Sequence, residues 1–288
     1  MSKHKMIIAV AAAVLLVGGG VYYYRVSALP HKANTLVSAQ SKAALVFTSP
    51  PRETAEEGEK SYKPLVEYLS KVLGKPVVYK YPGTWGVYRT EMLAGAYDIV
   101  FDGPHFVDYR VQKLGHNAVA KLEEIHEFVI IARKDDKVST VNDLAGKTFC
   151  TQSPPNLGAL IALSQFKQGT QQPVLVPTKG WGDIHEGVVS GRCSGGILPL
   201  ANLKKFDKDN MTKVLYKTQP MVNQGFTVGP RVSPEDRAKI AAALTAPEAS
   251  VPTEKLRVRF NAGDHLVSAN NGEYAGISEV LRQEWGFF

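Results

Sequence analysis

Short apolar runs alternate with helical patterns from residue 43 onward, and the series starts afresh near residue 139. The first run, Ala43-Ala44-Leu45-Val46-Phe47, predicts a strand closed by Ser49-Pro50-Pro51. Tyr62, Leu65, Val66, Leu69, Val72 and Leu73 then recur at spacings of three and four, which places them on one helix face. Gly74 stops that helix. Further strands are predicted at 76–81, 98–101, 118–121 and 128–132, with helices at 84–94 and from 104 to 114. The second series holds strands at 147–151, 174–177, 195–198, 214–216 and 226–228. Helices are predicted between them at 139–144, 157–166, 183–190 and 200–206. Ser233-Pro234-Glu235-Asp236 reads as an N-cap, with proline at the first turn, for a helix to 244; a last helix is expected over 273–285. Strands alternating with helices predict an α/β fold, its mostly parallel sheets flanked by helices on both faces. Two successive series predict two lobes. The cleft between lobes, and loops beyond the strand ends, are then the places for a ligand.

The N-terminus says where such a body works. Lys3 and Lys5 precede an uncharged stretch over 6–24, and Val26-Ser27-Ala28 is small enough for a signal peptidase. Residues 1–28 therefore read as a secretory signal peptide. The alternative is an uncleaved transmembrane helix, because the stretch also reaches the about 17–25 residues that span a bilayer. Either way the body lies outside the cytoplasm, in the periplasm or anchored to the outer face of the membrane. Residues 29–42 are polar and aperiodic and read as a linker. There are two cysteines, Cys150 and Cys193, without CxxC or zinc spacing. An oxidising compartment allows them one disulfide, and two buried thiols are the alternative.

Charge and motifs exclude several functions. The formal charge is +7, but three cations sit in the leader, leaving 31 basic against 27 acidic residues. The basic residues are scattered, so no nucleic-acid stripe exists, although the balance suits an anionic solute. No G-x-S-x-G, H-E-x-x-H, P-loop or G-x-G-x-x-G occurs, so neither an enzyme nor a cofactor is expected. Asp183, His185 and Glu186 are poorly spaced for a metal on one helix face. The cluster Glu123-Glu124-Ile125-His126-Glu127 reads as an exposed strand or turn.

Several segments in order resemble one known family: TSPPRE, YKPLVEYLSKVLGKPV, LAGAYDIVFDGPHF, DLAGKTFC and EGVVSGRCSGGILPL. Together, over about 43–245, they resemble the phosphonate/phosphite/phosphate-type periplasmic substrate-binding proteins of ABC transporters. The resemblance implies a type II periplasmic-binding fold. Lobe 1 would hold 43–132 and 218–288, and lobe 2 would hold 133–217, with two crossings between them. It implies a small solute in the cleft, a membrane subunit of the importer as partner, and no chemistry on the solute. An anchored ligand sensor or accessory subunit on the same fold is the alternative.

The resemblance, with the loop positions, singles out site residues. Ser49 and Arg52 follow the first strand, where a guanidinium can clamp an anion. Tyr62 and Trp85 stand where the family uses aromatics near its ligand. Asp102 and His105 flank the Asp-Gly-Pro turn. Ser153, Asn156 and Leu157 open the lobe 2 helix that grips an oxyanion in phosphonate binders, and Trp181 opens the next; Asn202 is weighed for the cleft but not counted among the site residues. The oxyanion loop departs from the family. It reads Ser153-Pro154-Pro155-Asn156 instead of a Ser-Thr-Ser-Gly type, and two prolines remove two N–H donors. Weak phosphonate binding is the expectation.

Overall fold

The computed structural model describes residues 44–166 and 169–285. The leader at 1–28 and the linker at 29–42 lie outside the described residues. No helix among the described residues is long and apolar enough to cross a membrane.

The chain runs β1 (Leu45–Thr48), α1 (Ala55–Leu73), β2 (Val77–Tyr79), α2 (Trp85–Leu93), β3 (Ile99–Asp102), α3 (Pro104–Leu114), β4 (Asn117–Lys121) and β5 (Phe128–Arg133). Then come β6 (Thr148–Thr151), α4 (Leu157–Ser164), β7 (Val174–Pro177), α5 (Trp181–Val189), β8 (Gly195–Pro199), α6 (Leu200–Phe206) and β9 (Thr212–Lys217). It closes with β10 (Gly225–Val228), α7 (Pro234–Thr245), α8 (Ser250–Arg259), β11 (Val267–Ser268) and α9 (Glu279–Trp285). Helix α1 illustrates how local chemistry sets the bounds. The Thr54 hydroxyl accepts from the Glu57 N–H, the Glu57 carboxylate accepts from the Thr54 N–H, and Gly74 ends the helix at φ 62°. Its buried stripe of Tyr62, Leu65, Val66, Leu69 and Leu73 packs on Phe47 and Phe101 of the first sheet.

Two sheets form, ordered β11-β4-β10-β3-β1-β2 and β7-β6-β8-β5-β9. They are mixed sheets flanked by helices, and most strands of each run the same way, as the sequence predicts. β1 is parallel to β2 and β3, and β6 is parallel to β7 and β8. One reversed strand is inserted in each: β10 is antiparallel to β3 and β4, and β5 is antiparallel to β8 and β9; the edge strand β11 is also reversed, antiparallel to β4. The reason is the crossings. Each inserted strand is the first to enter its sheet from the other lobe, so it arrives running backwards. For the same reason the predicted boundary at 132/133 falls too late. β5 pairs wholly within the second sheet, and the first crossing is 122–127. The return crossing lies beside it. His126 N–H donates to Met221 O at 2.9 Å, and Met221 N–H returns to His126 O at 3.0 Å.

Cys150 and Cys193 form a disulfide with Cα atoms 5.6 Å apart, joining β6 to the turn before β8. Both are buried. Gly187 on α5 makes room for it, since a Cβ there would stand 2.6 Å from the Cys150 sulfur. The bond closes a sequence separation of 43 residues. Loop entropy then assigns it about 4 kcal/mol. Urea unfolding of Cys150→Ser/Cys193→Ser should show a loss of about 3–4 kcal/mol, and an unchanged midpoint would rule that contribution out.

Candidate functional site

The loops at the carboxyl ends of β1, β3 and β6 converge with the two crossings on one cavity of about 290 Å³. Lobe 1 contributes Arg52, Trp85, Gly103 and His105, and lobe 2 contributes Asn156, Leu157, Trp181 and Asn202. The crossings contribute Glu124, His126, Asn223 and Gln224. The cavity adjoins a wider mouth of about 620 Å³, which shares Arg52, Trp85, Asn156, Lys179 and Arg259 and adds Ser153.

Arg52 is held from behind. Its Nη2 lies 3.4 Å from Asp102 Oδ1 and 3.4 Å from Gln224 Oε1, and its side chain is 15% exposed. Asp102 is fully buried at the end of β3. It accepts from the Gly103 N–H at 2.7 Å and from the Tyr88 hydroxyl, and its Oδ2 lies 3.6 Å from Arg110 Nε. Arg110 Nη2 donates to the Tyr88 oxygen at 2.7 Å. Burial pushes the Asp102 carboxyl up, and Arg110, Arg52 and the Tyr88 bond pull it down. This buried network fixes the guanidinium and leaves one of its nitrogens unused: Arg52 Nη1 is buried and has no hydrogen-bond partner within the protein.

His105 sits in the first turn of α3, behind the Gly103 N-cap and Pro104. Its ring folds back over the turn so closely that a Cβ at Gly103 would lie 2.7 Å from it. Its Nε2 is 3.0 Å from Pro155 O, a hydrogen bond from one lobe to the other. Burial lowers its pKa to about 3. Burial and then the Arg52 charge lower His126 to about 4. Both rings are neutral at ordinary pH. Aromatic walls stand on both sides: Trp85 stacks on Phe106 in lobe 1, and Trp181 meets Phe128 edge-on in lobe 2.

The family model for "ABC transporter, phosphonate, periplasmic substrate-binding protein" matches residues 47–280. The chain belongs to this family. It is thus an extracytoplasmic substrate-binding protein of an ABC transporter, a class that serves a small solute and a membrane transporter and is generally not enzymatic. Its fold recurs in XAC2383 from Xanthomonas citri bound to ATP, at TM-score 0.67 and 12% identity over 84% of this chain and 98% of that one. It recurs in PhnD1 from Prochlorococcus marinus in complex with methylphosphonate, at TM-score 0.63 and 16% identity, covering 85% and 99%. A third is a binding-protein component of an ABC phosphonate transporter from Pseudomonas aeruginosa, at TM-score 0.58 and 13% identity, covering 82% and 85%.

In this phosphonate-type binding protein, Arg52, Trp85, His105, Asn156, Leu157, Trp181 and Asn202 line the cavity, while Ser153 is exposed at the mouth. Asp102 lies one layer below, beneath Arg52. Ser49 and Tyr62 do not reach the cavity. Tyr62 is buried against Phe47 and Tyr79, and its hydroxyl donates to Ser49 Oγ at 3.0 Å inside lobe 1. Glu124 and His126 correct the reading of their segment as an exposed strand or turn, because the crossing carries them into the cleft. Arg259 and Phe260, at the end of α8, also went unanticipated.

The lobe 2 loop has little left for an oxyanion. Pro154 and Pro155 offer no N–H. The Asn156 oxygen caps α4 by accepting the Gly158 N–H at 2.9 Å, and its amide donates to Gln152 Oε1 at 2.7 Å. The Arg52 guanidinium lies across the cavity on the opposite lobe.

Proposed function

We propose that the protein receives a solute larger than a simple alkylphosphonate, with an anionic group on Arg52 and a flat or apolar part against Trp85 and Trp181. It passes that solute to the membrane subunits of an ABC importer, working outside the cytoplasm either free or tethered through residues 1–28. The observation that carries this reading is the guanidinium of Arg52, backed by Asp102, with Nη1 unpaired beside aromatic walls from both lobes. A cavity of about 290 Å³ with a broad mouth is more than one small oxyanion fills. Proteins of this fold in complex with ATP and with methylphosphonate support an anion of variable size.

A thermal-shift screen of methylphosphonate, phosphate, aromatic carboxylates, amino acids and nucleotides tests it, since a bound solute raises the melting point by mass action. Calorimetry on the hits should show Arg52→Ala weakening binding at least ~100-fold, and Arg52→Lys recovering little, because an ammonium lacks the planar fork. Submicromolar affinity for methylphosphonate would overturn the size argument. A silent screen would remove the receptor reading.

A further inference from the structure

We infer that the solute is an amino carboxylate, carrying a hydrogen-bond-donating nitrogen next to a planar anion; the inference rests on the receptor reading above. Three residues of the one cavity each have a buried polar atom without a partner in the protein: Arg52 Nη1, His105 Nδ1 and Glu124 Oε2. Their chemistry is not alike. A guanidinium only donates. The Pro155 carbonyl only accepts, so the His105 nitrogen facing it at 3.0 Å carries the proton. The other nitrogen, Nδ1, is then an acceptor, and the buried ring stays neutral. Glu124 takes the Gly263 N–H on Oε1, which leaves Oε2 as a second acceptor.

Besides the exposed Lys179 at its mouth, the cavity wall therefore holds one buried cationic donor and two buried acceptors that lack partners. A plain carboxylate or phosphate satisfies Arg52 alone and leaves His105 and Glu124 unpaired, with the Glu124 charge facing another anion. A nitrogen bearing N–H groups satisfies both, and its positive charge suits Glu124. The other guanidinium on the cavity, Arg259, is already paired with Glu53 at 2.8 Å. A planar carboxylate fits better than a tetrahedral phosphonate, because the lobe 2 loop supplies neither the N–H groups nor the hydroxyls to surround three oxygens.

The test is calorimetry of the full chain with the twenty standard L-amino acids, each beside the carboxylate that lacks the amine, such as phenylalanine beside 3-phenylpropanoate. At least one amino acid should bind tenfold or more tightly than its partner, and Glu124→Gln should shrink that gap below threefold. The amide oxygen of the Glu124→Gln variant still accepts the Gly263 N–H, so an unchanged melting curve should accompany the loss. Equal binding within a pair overturns the inference without any variant, and so does a gap that survives in Glu124→Gln. If other anions of the screen bind and no amino acid does, the receptor reading stands and this inference falls. If nothing binds, both fall.

Discussion

Arg110→Met is expected to cost about 3–5 kcal/mol of stability and to weaken solute binding as well. Arg110 is fully buried, packs over Tyr88 and Tyr97, and holds the Tyr88 oxygen at 2.7 Å. Methionine replaces much of that volume but none of the charge. Asp102 is then left inside lobe 1 with only Arg52 to balance it, 3.4 Å away and partly exposed. Breaking a buried pair from one side is costly because the remaining charge is desolvated and uncompensated, whereas removing both sides can be nearly neutral. The double variant Asp102→Asn/Arg110→Met should thus recover most of the loss. Denaturant unfolding of wild type, single and double variants reads this directly. A single variant within about 1 kcal/mol of wild type would show that the network does not matter to the fold. Binding weakens because Arg52 turns toward Asp102 once it is the only cation there.

Acid should be the second large effect, with stability falling by up to about 6 kcal/mol between pH 7 and pH 5. Three histidines are responsible. Burial lowers His105 and His116 to about 3 and His126 to about 4, against an unfolded value near 6.5. Below pH 6.5 the unfolded chain takes up protons that the native chain refuses, so stability falls with pH, by about 2 kcal/mol per histidine over this interval. The loss continues until the native rings titrate. Asp102, whose pKa burial raises, works in the other direction. A drop of this size is comparable to the whole stability of a typical protein, about 5–15 kcal/mol. Urea titrations at pH 7 and pH 5 test it, and equal midpoints would refute it. His116 lies far from the cleft, its Nδ1 3.1 Å from Thr227 Oγ1, so His116→Gln should remove about a third of the drop.

Some cavity-lining residues are legible because they obey local rules. Trp85, His105 and Trp181 open helices that follow strands, and in an α/β body those helix starts face the cleft. Arg52 was legible for the same reason, behind a strand end and two prolines. Tyr62 failed although its own periodicity held the answer. It shares a stripe with Leu65 and Leu69, so it belongs to the core, and Ser49 lies beneath it as its partner. Glu124 and His126 carried no usable signal. A short polar segment looks the same whether it turns in solvent or crosses between lobes, and only the pairing with Met221 decides. Helix α8 was missed because it buries only Thr253, Leu256 and Arg257, too few for an apolar stripe, yet it brings Phe260 and Arg259 to the cavity.

The last helix has a consequence for motion. By sequence α9 follows the lobe 1 strands, and the Ser278 N–H just before it donates to Asp108 on α3 at 2.8 Å. Its Leu281 nonetheless shares an apolar cluster with Leu160 of α4, and Val280 packs against the lobe 2 core. Besides the two covalent crossings, the lobes thus share an apolar seam. If they part, either Leu160 leaves Leu281 and both are wetted, or the helix rides along and gives up Asp108. Opening draws on burial or on a hydrogen bond far along the chain from any ligand contact. The width at which an empty cleft rests is partly a property of the tail.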